Sequence, residues 1–64
     1  MKENKKLKVE AWNIAFERFI NKYRAPTLGQ IFGGCPNCGH ACSWDDEEYK
    51  CYRCGWDWKK EVKE

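Results

Sequence analysis

The chain has 64 residues, ten of them aromatic and 34% of them charged, with a formal net charge of +2. That length allows one small domain, and such a domain has trouble folding on apolar burial alone; natural chains of this size usually add disulfides, a metal or a partner. The aromatic content excludes a disordered tail, and no apolar run approaches the ~20 residues that span a bilayer.

The N-terminus, MKENKKLKVEAW, is basic but lacks an apolar h-region and a small-residue cleavage site, so it does not read as a secretory signal. The expected location is a reducing, intracellular one, cytoplasmic or nucleoid-associated, without membrane contact. Val9, Trp12, Phe16, Phe19 and Tyr23 then recur at 3-4-3-4 spacing, with Ala15 and Ile20 widening the stripe. This periodicity predicts an amphipathic helix over roughly residues 6–24. It ends at Ala25-Pro26, because proline pushes the preceding residue out of the helical region. Glu10, Asn13, Glu17, Asn21 and Arg24 lie on the opposing side. The aromatic stripe is expected to be core, laid on Trp44, Trp56 or Trp58. Leu7 and Ile14 fall together off the stripe, on the far side, and hint at a partner contact.

Residues 27–34, TLGQIFGG, connect this helical arm (1–26) to a cysteine-rich half (35–64). The glycines make the segment a connector. Leu28, Ile31 and Phe32 are too apolar for a free tether, so it is expected to pack down as one helical turn, and the whole chain to fold as one unit.

All five cysteines lie in CPNCGHACSWDDEEYKCYRCGW, residues 35–56. A disulfide framework fits poorly in a reducing compartment and leaves one thiol over. A thioredoxin-type redox pair needs a βαβ setting for which there is no room. Two C-x-x-C pairs, Cys35/Cys38 and Cys51/Cys54, separated by twelve residues, suit a tetrahedral four-cysteine metal site. Gly39 and Gly55 follow the two pairs and permit the tight backbone that turns amide N–H groups toward sulfur. Pro36 suits the first position of a turn.

CPNCGH followed by CYRCGW resembles the zinc ribbon over about residues 33–58. The resemblance implies a two-knuckle β-rich module with one Zn²⁺ per chain on Cys35, Cys38, Cys51 and Cys54. It leaves the biological role open, since ribbons serve as nucleic-acid binders, polymerase adaptors and structural struts. The spacing places a strand at residues 40–44, a polar turn at Asp45-Asp46-Glu47 and a return strand at 48–51. Trp56 and Trp58, alternating about Asp57, suggest a third short strand or an extended tail. The expected fold class is a small α+β metal-stabilised domain, an N-terminal helix packed on a short antiparallel hairpin or three-stranded sheet. Cys42 is expected to pack under the aromatics, since a filled four-coordinate site has no place for it. His40 is expected to stand beside the first knuckle as an exposed residue or a neighbour of the ligands.

Zinc binding would remove four thiol protons and add two positive charges, leaving the loaded protein near neutral. Local charge is more informative. Lys2, Lys5, Lys6 and Lys8 form a basic arm, and Asp45 to Glu48 an acidic hairpin tip. Lys50, Tyr52, Arg53, Lys59 and Lys60 surround the second knuckle, where Tyr52 could stack on a base. A triad, an open metal position and a phosphate-binding loop are all missing, so an enzyme with a small-molecule substrate is not expected. Three classes remain. The first is a zinc-ribbon binding module, an accessory or regulatory protein contacting protein, or more weakly nucleic acid, in transcription, replication or translation machinery. The second is a rubredoxin-like iron electron-transfer module, and the third a structural zinc-binding subunit of a larger complex.

Overall fold

The computed structural model describes the backbone of residues 2–62 and the side chains of residues 5–62. The side chain of Lys2, in the basic arm, and the end of the charged tail, Lys63 and Glu64, lie outside the described residues. The element order is α1 (Lys2–Tyr23), α2 (Leu28–Ile31), β1 (Trp44–Asp45), β2 (Lys50–Cys51) and α3 (Trp58–Glu61). This is a small α+β domain built around a four-cysteine cluster.

The long helix starts four residues earlier than the aromatic stripe predicts, because Lys2 to Lys5 contain no helix breaker. It stops at Tyr23. Arg24 turns left-handed, with φ 66°, and still sends its N–H back to the Ile20 carbonyl. Pro26 then keeps Ala25 from resuming the helix.

The buried face of α1 is not the aromatic part of the expected stripe but its small-residue edge at Ala15, with Ala11 one turn before it. Ala11 and Ala15 are 0% and 1% exposed, and they join Trp56, Trp58, Cys35 and Cys51 in the core. Leu7 also packs against this cluster, which corrects its expected place on an outward face; Ile14 alone remains exposed there. Residues 7, 11 and 15 share one helical face by their spacing of four. Two alanines let α3 approach α1 closely, and the indole of Trp58 fills the space their small side chains leave. Arg18, one turn on, forms an ion pair with Glu61 of α3, and Glu61 also accepts from Trp56 Nε1 at 3.1 Å. At the other end Lys8 donates to the Glu47 carbonyl at 2.9 Å, with its ammonium about 6 Å from the rings of Tyr49 and Trp58.

The aromatic stripe is left at the side of this seam. Val9 and Tyr23 are exposed, while Trp12, Phe16, Phe19 and Ile20 are half-buried. The aromatics cover one another: Trp12 stacks on Phe16 with centroids 4.9 Å apart, and Phe19 lies 4.5 Å from Tyr23. Trp12 Nε1 donates to the Gly34 carbonyl at 2.9 Å and so ties the helix to the connector.

The hairpin is shorter than expected. Only Trp44↔Cys51 and Asp45↔Lys50 pair, antiparallel. Residues 40–43 turn rather than extend, and the Trp44 N–H closes that turn on the Ala41 carbonyl at 3.2 Å. The Asp45 carboxylate accepts from the N–H groups of Glu47 and Glu48 at 2.9 and 3.2 Å. This fastens the tip, and Tyr49 re-enters the strand through a left-handed φ of 55°. Because residues 40–43 turn, Cys42 does not pack under the aromatics but stands exposed on the surface. The expected third strand is a single bridge, Asp57 to Lys50. Asp57 then caps α3, accepting from the Lys59 N–H at 3.1 Å, and Trp56 and Trp58 are buried on either side of it. No helix among the described residues is long and apolar enough to cross a membrane.

Candidate metal centre

The two C-x-x-C segments adopt one hydrogen-bond pattern twice. In the first, Gly39 N–H donates to the Cys35 carbonyl at 2.9 Å and Cys35 N–H to the His40 carbonyl at 3.1 Å. In the second, Gly55 N–H donates to the Cys51 carbonyl at 3.0 Å and Cys51 N–H to the Trp56 carbonyl at 2.9 Å. Both turns pass through a glycine with left-handed φ, 80° at Gly39 and 83° at Gly55, a conformation that disfavours any side chain. Each turn also aims an amide at a sulfur: Cys38 N–H at Cys35 Sγ, 3.5 Å, and Cys54 N–H at Cys51 Sγ, 3.4 Å.

The knuckles face each other so that Cys35, Cys38, Cys51 and Cys54 have all four sulfurs within 4.8 Å of one another. Across the knuckles, Cys35 lies 3.7 Å from Cys54 and Cys38 lies 3.5 Å from Cys51. Tetrahedral bonds of about 2.3 Å from an ion to sulfur put neighbouring sulfurs about 3.8 Å apart, so these residues fit one four-coordinate metal ion. Four thiolates are a soft donor set, which suits zinc or an iron–sulfur site rather than magnesium or calcium. Cys42 stands apart, with its Sγ 4.0 Å from Ser43 Oγ, and His40 is exposed beside the first knuckle as expected. The arrangement is compatible with a zinc ribbon.

A divalent ion on four thiolates carries a net charge of −2, and hydrogen bonds to sulfur spread it. Besides the two amides, Asn37 Nδ2 reaches across from the first knuckle to Cys54 Sγ at 3.4 Å. In the metal-free protein, burial pushes the Cys35 thiol well above its ordinary value and Cys38 up to about 11. Burial also acts upward on Cys54, but the Asn37 amide, the Trp56 N–H and the neighbouring thiols outweigh it and bring Cys54 down to about 7. Near neutral pH, Cys35 and Cys38 are thus protonated before loading and must release those protons to bind metal. The apparent metal affinity should therefore fall as pH falls, by about two decades or more per pH unit around neutrality. Competition against a chromophoric chelator at several pH values measures this slope; a flat profile would mean that these thiols are not ligands.

The connector is fastened to the first knuckle. Thr27 caps α2 by accepting from Gln30 N–H at 3.2 Å, and the Gln30 side chain accepts from Thr27 N–H at 3.0 Å. Gln30, only 2% exposed, also donates to the Pro36 carbonyl at 2.8 Å, and Thr27 Oγ1 donates to the Gly39 carbonyl at 2.8 Å. The knuckle that presents Cys35 and Cys38 thus rests on side chains of the connector. Thr27, Gln30 and Asn37 are absent from the sequence-predicted site. The T-x-x-Q spacing of a capping box is the signal that could have found the first two.

Close contact at this junction requires glycine. A Cβ added to Gly29 would lie 2.3 Å from the Gly39 carbonyl oxygen, and one added to Gly34 would lie 2.6 Å from the Gly29 oxygen. Gly29→Ala should thus push α2 off the knuckle at a cost of about 1–3 kcal/mol, as overpacking does. Urea unfolding of the metal-loaded protein would register it, and an unchanged midpoint would show that α2 is not seated there.

The residues expected around the second knuckle are in part occupied locally. Lys50 Nζ pairs with Glu48 at 3.0 Å, Tyr52 OH donates to Asp45 Oδ2 at 3.2 Å, and Lys60 Nζ donates to the Gly55 carbonyl at 3.3 Å. Arg53 and Lys59 are exposed. No family model matches this chain, and no curated protein or solved structure shows significant similarity to it.

Proposed function

We propose that this chain is a zinc-ribbon binding module in which one Zn²⁺ on Cys35, Cys38, Cys51 and Cys54 holds the fold and the surface makes the biological contact. The observation that carries this reading is the closed set of four sulfurs, which leaves a bound ion no open position for water or substrate. The favoured contact is a protein, with the module acting as an accessory or regulatory factor in gene-expression or replication machinery. Exposed Ile14 and Tyr23 support an apolar contact. Nucleic acid is the weaker candidate, because Lys50 and Tyr52 are engaged with Glu48 and Asp45 and the loaded chain is near neutral.

Metal analysis of protein purified from cells tests the first part, with one zinc per chain and a colourless protein expected. A second reading, rubredoxin-like electron transfer, draws on the exposure of Cys54, which gives the cluster an edge at the surface. A red, redox-active protein containing iron would select that reading. Titration with single- and double-stranded DNA and RNA tests the contact. Weak binding that is lost at physiological salt fits the protein-binding reading. Tight, salt-resistant binding abolished by Arg53→Ala would overturn it.

A further inference from the structure

Helix α2 is inside out. Its buried side carries Gly29 and Gln30, while Leu28, Ile31 and Phe32, within one 100° sector of the turn, are 73%, 61% and 79% exposed. A buried polar residue opposite three exposed apolar ones runs against ordinary burial and marks a contact surface. The surface is held in place: the Thr27–Gln30 capping box and the Gln30 bond to Pro36 fasten the turn from behind, so little ordering remains to be done on contact.

The same molecule carries a hollow that complements this knob. A cleft of about 390 Å³ is lined by Val9, Trp12, Asn13, Trp44, Asp46 and Tyr49. It is as large as a small-ligand pocket and is walled chiefly by aromatic and aliphatic side chains. Gly33 also lines it, so knob and cleft adjoin at the Phe32–Gly33 peptide. Charge matches as well. Between Arg18 and Trp44 the sequence contains no Asp or Glu, and exposed Arg24 stands four residues before Leu28. The cleft, in contrast, carries exposed Asp46, from the acidic tip Asp45 to Glu48.

We propose that two copies of this chain pair about a two-fold axis beside Gly33, each placing Phe32 and its α2 neighbours in the other's cleft. Adjacency of knob and cleft makes the contact self-complementary, so one rotation satisfies both halves and the assembly closes at two. Arg24 of one copy then approaches the acidic tip of the other. This pairing goes beyond the zinc-ribbon reading and does not depend on which macromolecule the module serves.

Sedimentation equilibrium of the full-length, zinc-loaded chain from micromolar to millimolar concentration tests it. The mass should rise from the 7.6 kDa of one chain to twice that value and plateau. Phe32→Asp removes the knob, and Asn13→Trp fills the cleft from an exposed helix position. Each should raise the dimer dissociation constant roughly tenfold or more with zinc content and helical circular dichroism unchanged. A wild-type chain that stays monomeric throughout, as a foreign protein or a lipid as the sole occupant would have it, overturns the proposal. So does a mass that climbs past two chains, or either folded variant dimerising as the wild type does.

Discussion

Serine at Cys38 or Cys54 is expected to unfold the C-terminal half of the protein. The physical reason is the size of the hairpin: two residue pairs cannot support a sheet, and a two-stranded unit is marginal even when longer. A metal ion on the four sulfurs would hold the knuckles together, and structural zinc contributes on the order of 10 kcal/mol or more in small finger peptides. That exceeds the stability of many small domains. Losing either of these ligands also disturbs the core, because the other cysteine of each knuckle, Cys35 or Cys51, is buried in it and Trp56 follows directly from the second knuckle. Amide dispersion in NMR spectra and metal stoichiometry should collapse together in either variant, as they should when a chelator strips the wild type. Cys42→Ser is the control. Cys42 is exposed and outside the cluster, so that variant should keep one metal per chain; loss of metal there would refute the four-ligand assignment.

Trp58→Ala should be the most damaging change away from the metal, costing about 3–5 kcal/mol. Trp58 is buried in the cluster with Ala11 and Ala15 of α1, so its loss opens a cavity at the seam that joins helix to knuckles. Phe16→Ala removes an aromatic ring too, but from a half-buried position beside that seam, and should cost less. Urea unfolding at saturating zinc orders the two, and a larger loss from Phe16→Ala would show that the aromatic stripe, not the alanine face, carries the docking of α1. The Arg18–Glu61 pair adds a smaller effect at the same seam. The Arg18 guanidinium and, less strongly, the Trp56 N–H hold the Glu61 carboxyl below its usual range. Its contribution is present above the ordinary carboxylate pKa and is lost as pH falls through the lowered one.

The candidate site was legible because its determinants are local. A C-x-x-C-G turn brings two sulfurs together within five residues, and two such turns with one spare cysteine leave a single economical set of four ligands. The long helix was legible for a similar reason, since periodicity and the Ala25-Pro26 stop are properties of adjacent residues. Which face of that helix turns inward was a different matter. Hydrophobicity pointed to Val9, Trp12, Phe16, Phe19 and Tyr23 with Ala15 and Ile20 widening the stripe, but of these the chain fully buries Ala15 alone, together with Ala11 and with Leu7 beside them. That choice depends on the size of what arrives from elsewhere: two indoles from residues 56 and 58 already fill the space, so the helix contributes small side chains and a close backbone. The strand expected at residues 40–44 failed for a related reason. Its pattern allows extension, but the backbone there turns after the first knuckle, and this leaves Cys42 outside the core. The four-cysteine cluster, the helix and its end follow from residues close along the chain. The helix face, the seat of α2 on the first knuckle and the outward turn of Leu28, Ile31 and Phe32 depend instead on the space left by segments distant along the chain.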